Sequence, residues 1–190
     1  MLLLPMRIAL LATDAKFIIS SPHIWGLSSA FKAGDLFVVK DHANISAQSP
    51  GLGPNIEEMG PRFYDISHMH YAEVTRRMLD SCRNHTLQAE YGEIFWVNNS
   101  SVPDRDTFAK LAAGLSNDKV SFKGFTKSGI AELMAVHHRK AKDAASPLIT
   151  AMIGIGADYL IGAQRLHPQY SQGASNLLKI AVEAFEQRSI

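Results

Sequence analysis

Phe31-Lys-Ala-Gly34-Asp35-Leu36-Phe37-Val38-Val39-Lys40-Asp41-His42-Ala43-Asn44 is the stretch around which the rest of the chain organises. Leu36 to Val39 is an unbroken apolar run between a Gly-Asp turn and the charged Lys40-Asp41-His42. Apolarity without alternation marks a strand covered on both faces, so the run predicts a central strand. Glu93 to Val97 repeats the signal, Lys119 to Phe125 alternates polar with apolar, and Pro147 to Thr150 is a further apolar strand. Between them lie helical spacings. Ser67 is placed to cap a helix through Tyr71, Val74, Met78 and Leu79, and Asp104 or Asp106 to start one through Phe108, Leu111 and Ala112. Two more run from about Ile130 to Lys140 and from Ser175 to Gln187. Upstream, Ile8 to Ala12 reads as a helix end and Phe17 to Ile19 as a buried strand before Ser20-Ser21-Pro22. Ile45 to Pro61, rich in Ser, Gly, Pro and Asn, predicts a long surface loop, and Asn98 to Pro103 a turn. Strands alternating with helices, without an internal repeat, predict an α/β layered sheet in one domain over residues 1–190.

Composition narrows the function classes. A chain of 190 residues is long enough to bury about 70% of its unfolded surface. With 19 Lys+Arg against 18 Asp+Glu the net charge is +1, which lacks the basic excess of a nucleic-acid grip. Hydrophobic residues at 46% and charged residues at 19% exclude a disordered chain. The single cysteine, Cys82, makes no internal disulfide and no Cys-rich zinc framework, which fits a reducing compartment. Met1 to Pro5 lacks a basic leader, Arg7, Asp14 and Lys16 interrupt the apolar residues after it, and no apolar run reaches the ~18 residues of a membrane span. The expectation is a cytoplasmic protein without membrane contact.

Eight histidines raise the question of a metal. On a helix beginning at Ser67, His68 and His70 would lie about 200° apart, and the adjacent His137 and His138 about 100° apart. Neither pair then offers two nitrogens to one ion, so no metal site is expected. No Walker loop, dinucleotide glycine fingerprint or Gly-x-Ser-x-Gly elbow occurs. Gly51-Leu-Gly53-Pro54-Asn55 by itself is a turn.

Taken in order, these segments carry more than any one of them. Gly34-Asp35 enters the strand Leu36 to Val39, which ends in Asp41-His42-Ala43-Asn44; Gly53-Pro54-Asn55 and Gly60-Pro61-Arg62-Phe63 come next, then Ser146-Pro-Leu-Ile-Thr150 preceded by His138. This succession resembles the trimeric purine nucleoside phosphorylases, with their Asp-His-x-Asn strand end, Gly-Pro-Asn and Arg-Phe loop and Ser-Leu-Ile-Thr-Asn segment. The resemblance implies a nucleoside phosphorylase-like fold, with a central mixed β-sheet flanked by helices. It also implies phosphorolysis of purine nucleosides to free base and ribose 1-phosphate in purine salvage, phosphate as co-substrate, no further cofactor, and a homotrimer or association with a family member.

Residue by residue, the resemblance places substrate contacts at His23, Thr126, Thr150 and His167, with Ser128 an alternative to Thr126 for phosphate. His167 corresponds to a histidine on the ribose 5′-hydroxyl, or is structural. Phe63 corresponds to an aromatic that reaches into a neighbouring subunit's site, or is a loop anchor. The departures concern the leaving base. Ala151 stands where the family's base-binding Asn stands, and Asp106 where its Glu stands, one methylene shorter and beside Arg105. Pro22-His23-Ile24-Trp25-Gly26 replaces Asn-Ala-Ala-Gly-Gly, with Trp25 either a stacking platform or a plug. The family's N-terminal Gly-Ser-Gly loop and Arg-x-His segment have no counterpart here. The expectation is a phosphorylase impaired or inactive in this chain, or a non-catalytic paralogue acting in subunit association or weak nucleoside binding, with an exposed apolar face or unpaired strand edges unless another chain covers them.

Overall fold

Phe37 and Val39 point to one side of their strand and Leu36 and Val38 to the other, and both sides are covered, as their unbroken apolarity requires. In a computed structural model describing residues 15–55, 57–58, 60–97, 104–142, 148–157 and 168–186, six strands and four helices are seen among those residues. They are β1 (Phe17–Ser20), β2 (His23–Gly26), β3 (Leu36–Asn44), α1 (Ala72–Asn84), β4 (Ala89–Trp96), α2 (Arg105–Leu115), β5 (Phe122–Thr126), α3 (Ile130–Lys140), β6 (Ile149–Gly156) and α4 (Pro168–Glu186). The strands form one mixed sheet in the order β1-β6-β2-β5-β4-β3, and β6 also pairs with β3. Five strands therefore close on themselves, with β1 extending along the first half of β6. Ile149 to Met152 pair with β1 in parallel, and Ile153 to Ile155 with β3 antiparallel.

Three apolar layers result from the period-2 alternation of the strands. Inside the closed strands Phe37, Val39, Ile94, Trp96, Ile24 and Met152 pack with Ile130, Leu133 and Met134 of α3. On the outer face Leu36, Val38, Ala151 and Ile153 meet Val74 and Met78 of α1 and Leu177, Ile180 and Ala184 of α4. Phe95, Val97 and Phe125 pack against Ala112 and Phe108 of α2. Among the described residues no helix is long and apolar enough to cross a membrane. Ile24 is fully buried where β2 crosses β6. Ile24→Val is expected to cost about 1 kcal/mol by urea denaturation, the loss of one packed methyl; no measurable loss would mean the crossing is loosely packed.

Three expected elements differ. Ser67 does not cap a helix: its N–H and its hydroxyl both donate to Asp65 Oδ1, at 2.8 and 2.6 Å. That local turn competes successfully with helix initiation, and α1 starts only at Ala72, with Tyr71 at its N-cap position. β6 runs on past Thr150 to Gly156, because Gly154 and Gly156 hide strand propensity while serving close approach. A Cβ on Gly154 would run into Ile24, and one on Gly156 into the Lys32 carbonyl oxygen. α4 begins at Pro168, seven residues before the expected Ser175, in keeping with proline's tolerance in the first helical turn. The expected helix end at 8–12, the turn at 98–103, residues 143–147 and Gln187 lie outside the described residues.

Candidate functional site

β5 ends and β2 begins side by side, and this corner gathers two of the expected substrate residues. Thr126, fully buried, places its hydroxyl 2.9 Å from the His23 carbonyl oxygen and 3.1 Å from that of Ser128, and its oxygen accepts from Ser128 N–H at 3.3 Å. A hydroxyl has one proton to give, so Thr126 is engaged with its own backbone surroundings. The His23 side chain is exposed and sets its ring edge-on to Tyr170 of α4, 5.6 Å between centroids. At the start of α3 the Glu132 carboxylate accepts from Gly129 N–H at 2.8 Å. A carboxylate thus already occupies the positive end of that helix, whose N-cap Gly129 is three residues on from Thr126. Trp25 lies flat on Phe125, 5.6 Å apart at 7°, with Lys127 Nζ 5.6 Å over its ring. It belongs to the layer against α2.

Thr150 sits on the inner side of β6, 1% exposed. His137 Nε2–H donates to its hydroxyl at 2.7 Å, and the hydroxyl donates to the Met69 carbonyl at 2.6 Å. The relay ties α3, β6 and the loop before α1 together. Burial, with Lys140 adding to it, pushes the His137 pKa down to about 4. The next residue, Ala151, faces the opposite way, fully buried among Val74, Met78, Leu177 and Ile180. Asp106 is exposed in the first turn of α2. Phe63 is 87% exposed on the rim of a cleft of about 320 Å³ shared with Ser49, Leu52, Arg62, Tyr64 and Met134. His167 lies outside the described residues. Of the expected site residues, then, His23 and Thr126 touch each other. Thr150 and Ala151 are neighbours in sequence on opposite faces of one strand.

A second cluster was not expected. His42 Nδ1 and His70 Nε2 are 3.2 Å apart, and the Asp41 carboxylate lies 3.7 Å from His42 Nδ1. A register shift in β3 between Val39 and Asp41 re-aims the strand end, as bulges do, and Asp41 Oδ1 curls back to accept from His42 N–H at 2.8 Å. His70 is 9% exposed and its Nδ1 has no hydrogen-bond partner. Burial first, then the neighbouring His42 and His137, pushes its pKa down to about 3. Burial also lowers His42, against the pull of Asp41. Residues 68–70 precede α1, so helical spacing does not hold their histidines away from a partner. Asp-His at the end of a central strand was a legible position for a ligand. Its partner, twenty-eight residues on in a loop, was not.

No family model matches the chain. Purine nucleoside phosphorylase 1 of Bacillus subtilis is 43% identical over 42 residues, 22% of this chain and 16% of that protein. Purine nucleoside phosphorylase 1 of Geobacillus stearothermophilus is 23% identical over 113 residues, 60% of this chain and 39% of that protein. The chain thus spans about two fifths or less of the length of these curated relatives. Among solved structures, isoform 2 of the Schistosoma mansoni purine nucleoside phosphorylase, in complex with cytosine and ribose-1-phosphate, superposes with a TM-score of 0.72 at 17% identity, over 98% of this chain and 65% of that one. That likeness is one of fold: a mixed sheet flanked by helices, as the family resemblance implied. Over short stretches of sequence, and in fold, this chain is therefore similar to the purine nucleoside phosphorylases.

Proposed function

We propose that this chain binds purine nucleosides beside the corner of β2, β5 and α3 and phosphorolyses them at most slowly. In phosphorolysis, phosphate attacks C1′ as the glycosidic bond breaks, and negative charge builds on the departing purine. The reaction needs donors aimed at the phosphate and at the base in the transition state. The observation that carries the reading is the engagement of Thr126. Its hydroxyl is directed at backbone carbonyls, and the Glu132 carboxylate, not an open helix end, stands nearby. A dianion approaching there meets little free donation and a like charge. Ala151, turned into the helix layer, gives the base no donor either. Loss of one preorganised donor costs about 10²–10³ in rate.

Purified protein with inosine and phosphate is expected to release hypoxanthine at least about a hundredfold more slowly than typical turnover of 1–10³ s⁻¹, while equilibrium dialysis still detects inosine binding. Turnover within about tenfold of that range, or no inosine binding, would overturn the reading.

A second reading, a non-catalytic subunit that associates with copies of itself, is favoured by the exposure of Phe63 at 87% and Leu52 at 74% on one cleft. Phe63 would then serve the neighbouring subunit in a trimer. A single monomeric peak at all concentrations in sizing chromatography excludes it. Cys82, buried with its thiol pushed up to about 11, is inert, in keeping with the cytoplasmic setting we assign.

A further inference from the structure

We propose that Asp41, His42 and His70 form a site for one divalent transition-metal cation of the zinc class, clamping the end of β3 to the loop that leads into α1. The site stands independently of nucleoside binding. Nitrogen ligands at about 2.0–2.1 Å from a tetrahedral ion lie about 3.3–3.4 Å apart, and His42 Nδ1 and His70 Nε2 are 3.2 Å apart with their rings steeply inclined at 69°. One ligand atom from each of the three residues falls within 4.8 Å of the other two. Two imidazoles and one carboxylate form the donor set of catalytic-type zinc sites, which keep a fourth position for water. The Asp41 side chain is 66% exposed while that of His42 is 6% exposed, so solvent reaches the cluster from the Asp41 side.

Hydrogen bonding alone explains the cluster poorly. A single proton shared between His42 and His70 leaves the Asp41 carboxylate, 3.7 Å from His42 Nδ1, without a part in that hydrogen bond. Ligation replaces that one hydrogen bond with two coordinate bonds and adds the Asp41 carboxylate. The unpartnered Nδ1 of His70 predicts an incomplete outer shell, hence moderate rather than structural-zinc affinity. Phe63 and Tyr64 of the cleft wall lie seven and six residues before His70 on the same connecting segment, so a bound ion would tie that segment to β3.

The test uses the full chain with Zn²⁺ or Co²⁺ alone. Equilibrium dialysis is expected to find one ion per chain, Co²⁺ to give the strong visible absorption of a tetrahedral site, and either metal to raise the melting temperature. His42→Gln and Asp41→Asn are expected to weaken binding at least about tenfold. His85→Gln, which removes a surface histidine paired with Glu183, is expected to leave it unchanged. Asp41 is exposed, so Asp41→Asn keeps the question decidable should His42→Gln or His70→Gln fail to fold. The proposal is overturned by absence of stoichiometric binding, by wild-type binding in His42→Gln, or by loss of binding in His85→Gln, which would mark an adventitious surface site.

Discussion

Acidifying the metal-free protein from pH 6.5 towards 4 is expected to remove about 3 kcal/mol of folding stability through His137 alone. In the unfolded chain this imidazole takes up its proton near 6.5, whereas in the folded protein burial delays protonation to about 4. Between those values the unfolded state binds more protons, so stability rises with pH. The contribution is complete above about 6.5, falls by about 1.4 kcal/mol per pH unit below it, and ends as pH passes the folded value. The loss is a large share of the 5–15 kcal/mol that holds a typical domain. Urea titrations at pH 7, 6 and 5 measure it. His137→Gln keeps an N–H for Thr150 but cannot titrate, so its acid limb should be shallower by one proton. Equal slopes in the two proteins would show that His137 is not the group buried neutral.

Ala151→Asn is expected to destabilise the fold by about 3 kcal/mol and to restore no phosphorolysis. The family resemblance makes this substitution look like a repair. The structure makes it an insertion of a carboxamide into a layer formed by Val74, Met78, Leu177 and Ile180, at a position with no exposed surface. An amide buried without partners costs about 1–3 kcal/mol, and overfilling a packed core adds about 1–3 more. Ile19 of β1, directly alongside Ala151 in parallel register, leaves the backbone little freedom to turn the residue around. Chemical denaturation and the inosine assay on the same preparation decide it. A stable variant that gains activity would mean that the side chain at 151 faces the ligand and that β6 pairs with β1 in a different register.

That substitution shows where reading by sequence stops. Ile149-Thr-Ala-Met-Ile153 is apolar on both faces apart from Thr150. Such a run announces a buried strand without saying which side chain looks inward, because the alternation that would report it is absent. The glycines that end the run concealed its true length, since Gly154 and Gly156 are there for the crossing of β2 and of the Lys32 backbone. Ser67 misled for a different reason. It has cap chemistry, and Asp65, two residues before it, captured that chemistry for a turn. By contrast, α2 began at the first of its two expected starts, with Thr107 N–H donating to the Asp104 carboxylate at 2.9 Å. Local capping is legible when no nearer partner competes.

From the sequence alone came the alternation of strands and helices, the two-sided burial of Leu36 to Val39, and the ordered motifs that ally the chain with nucleoside phosphorylases. All of these are written in neighbouring residues and in short periods. Only the tertiary structure decided that β6 closes the sheet on β3, that Ala151 turns away from Thr150's relay, and that His42 meets His70. Each depends on register or on chain closure across tens of residues, where the free energy is set by packing of whole layers and leaves no mark on any single stretch of sequence.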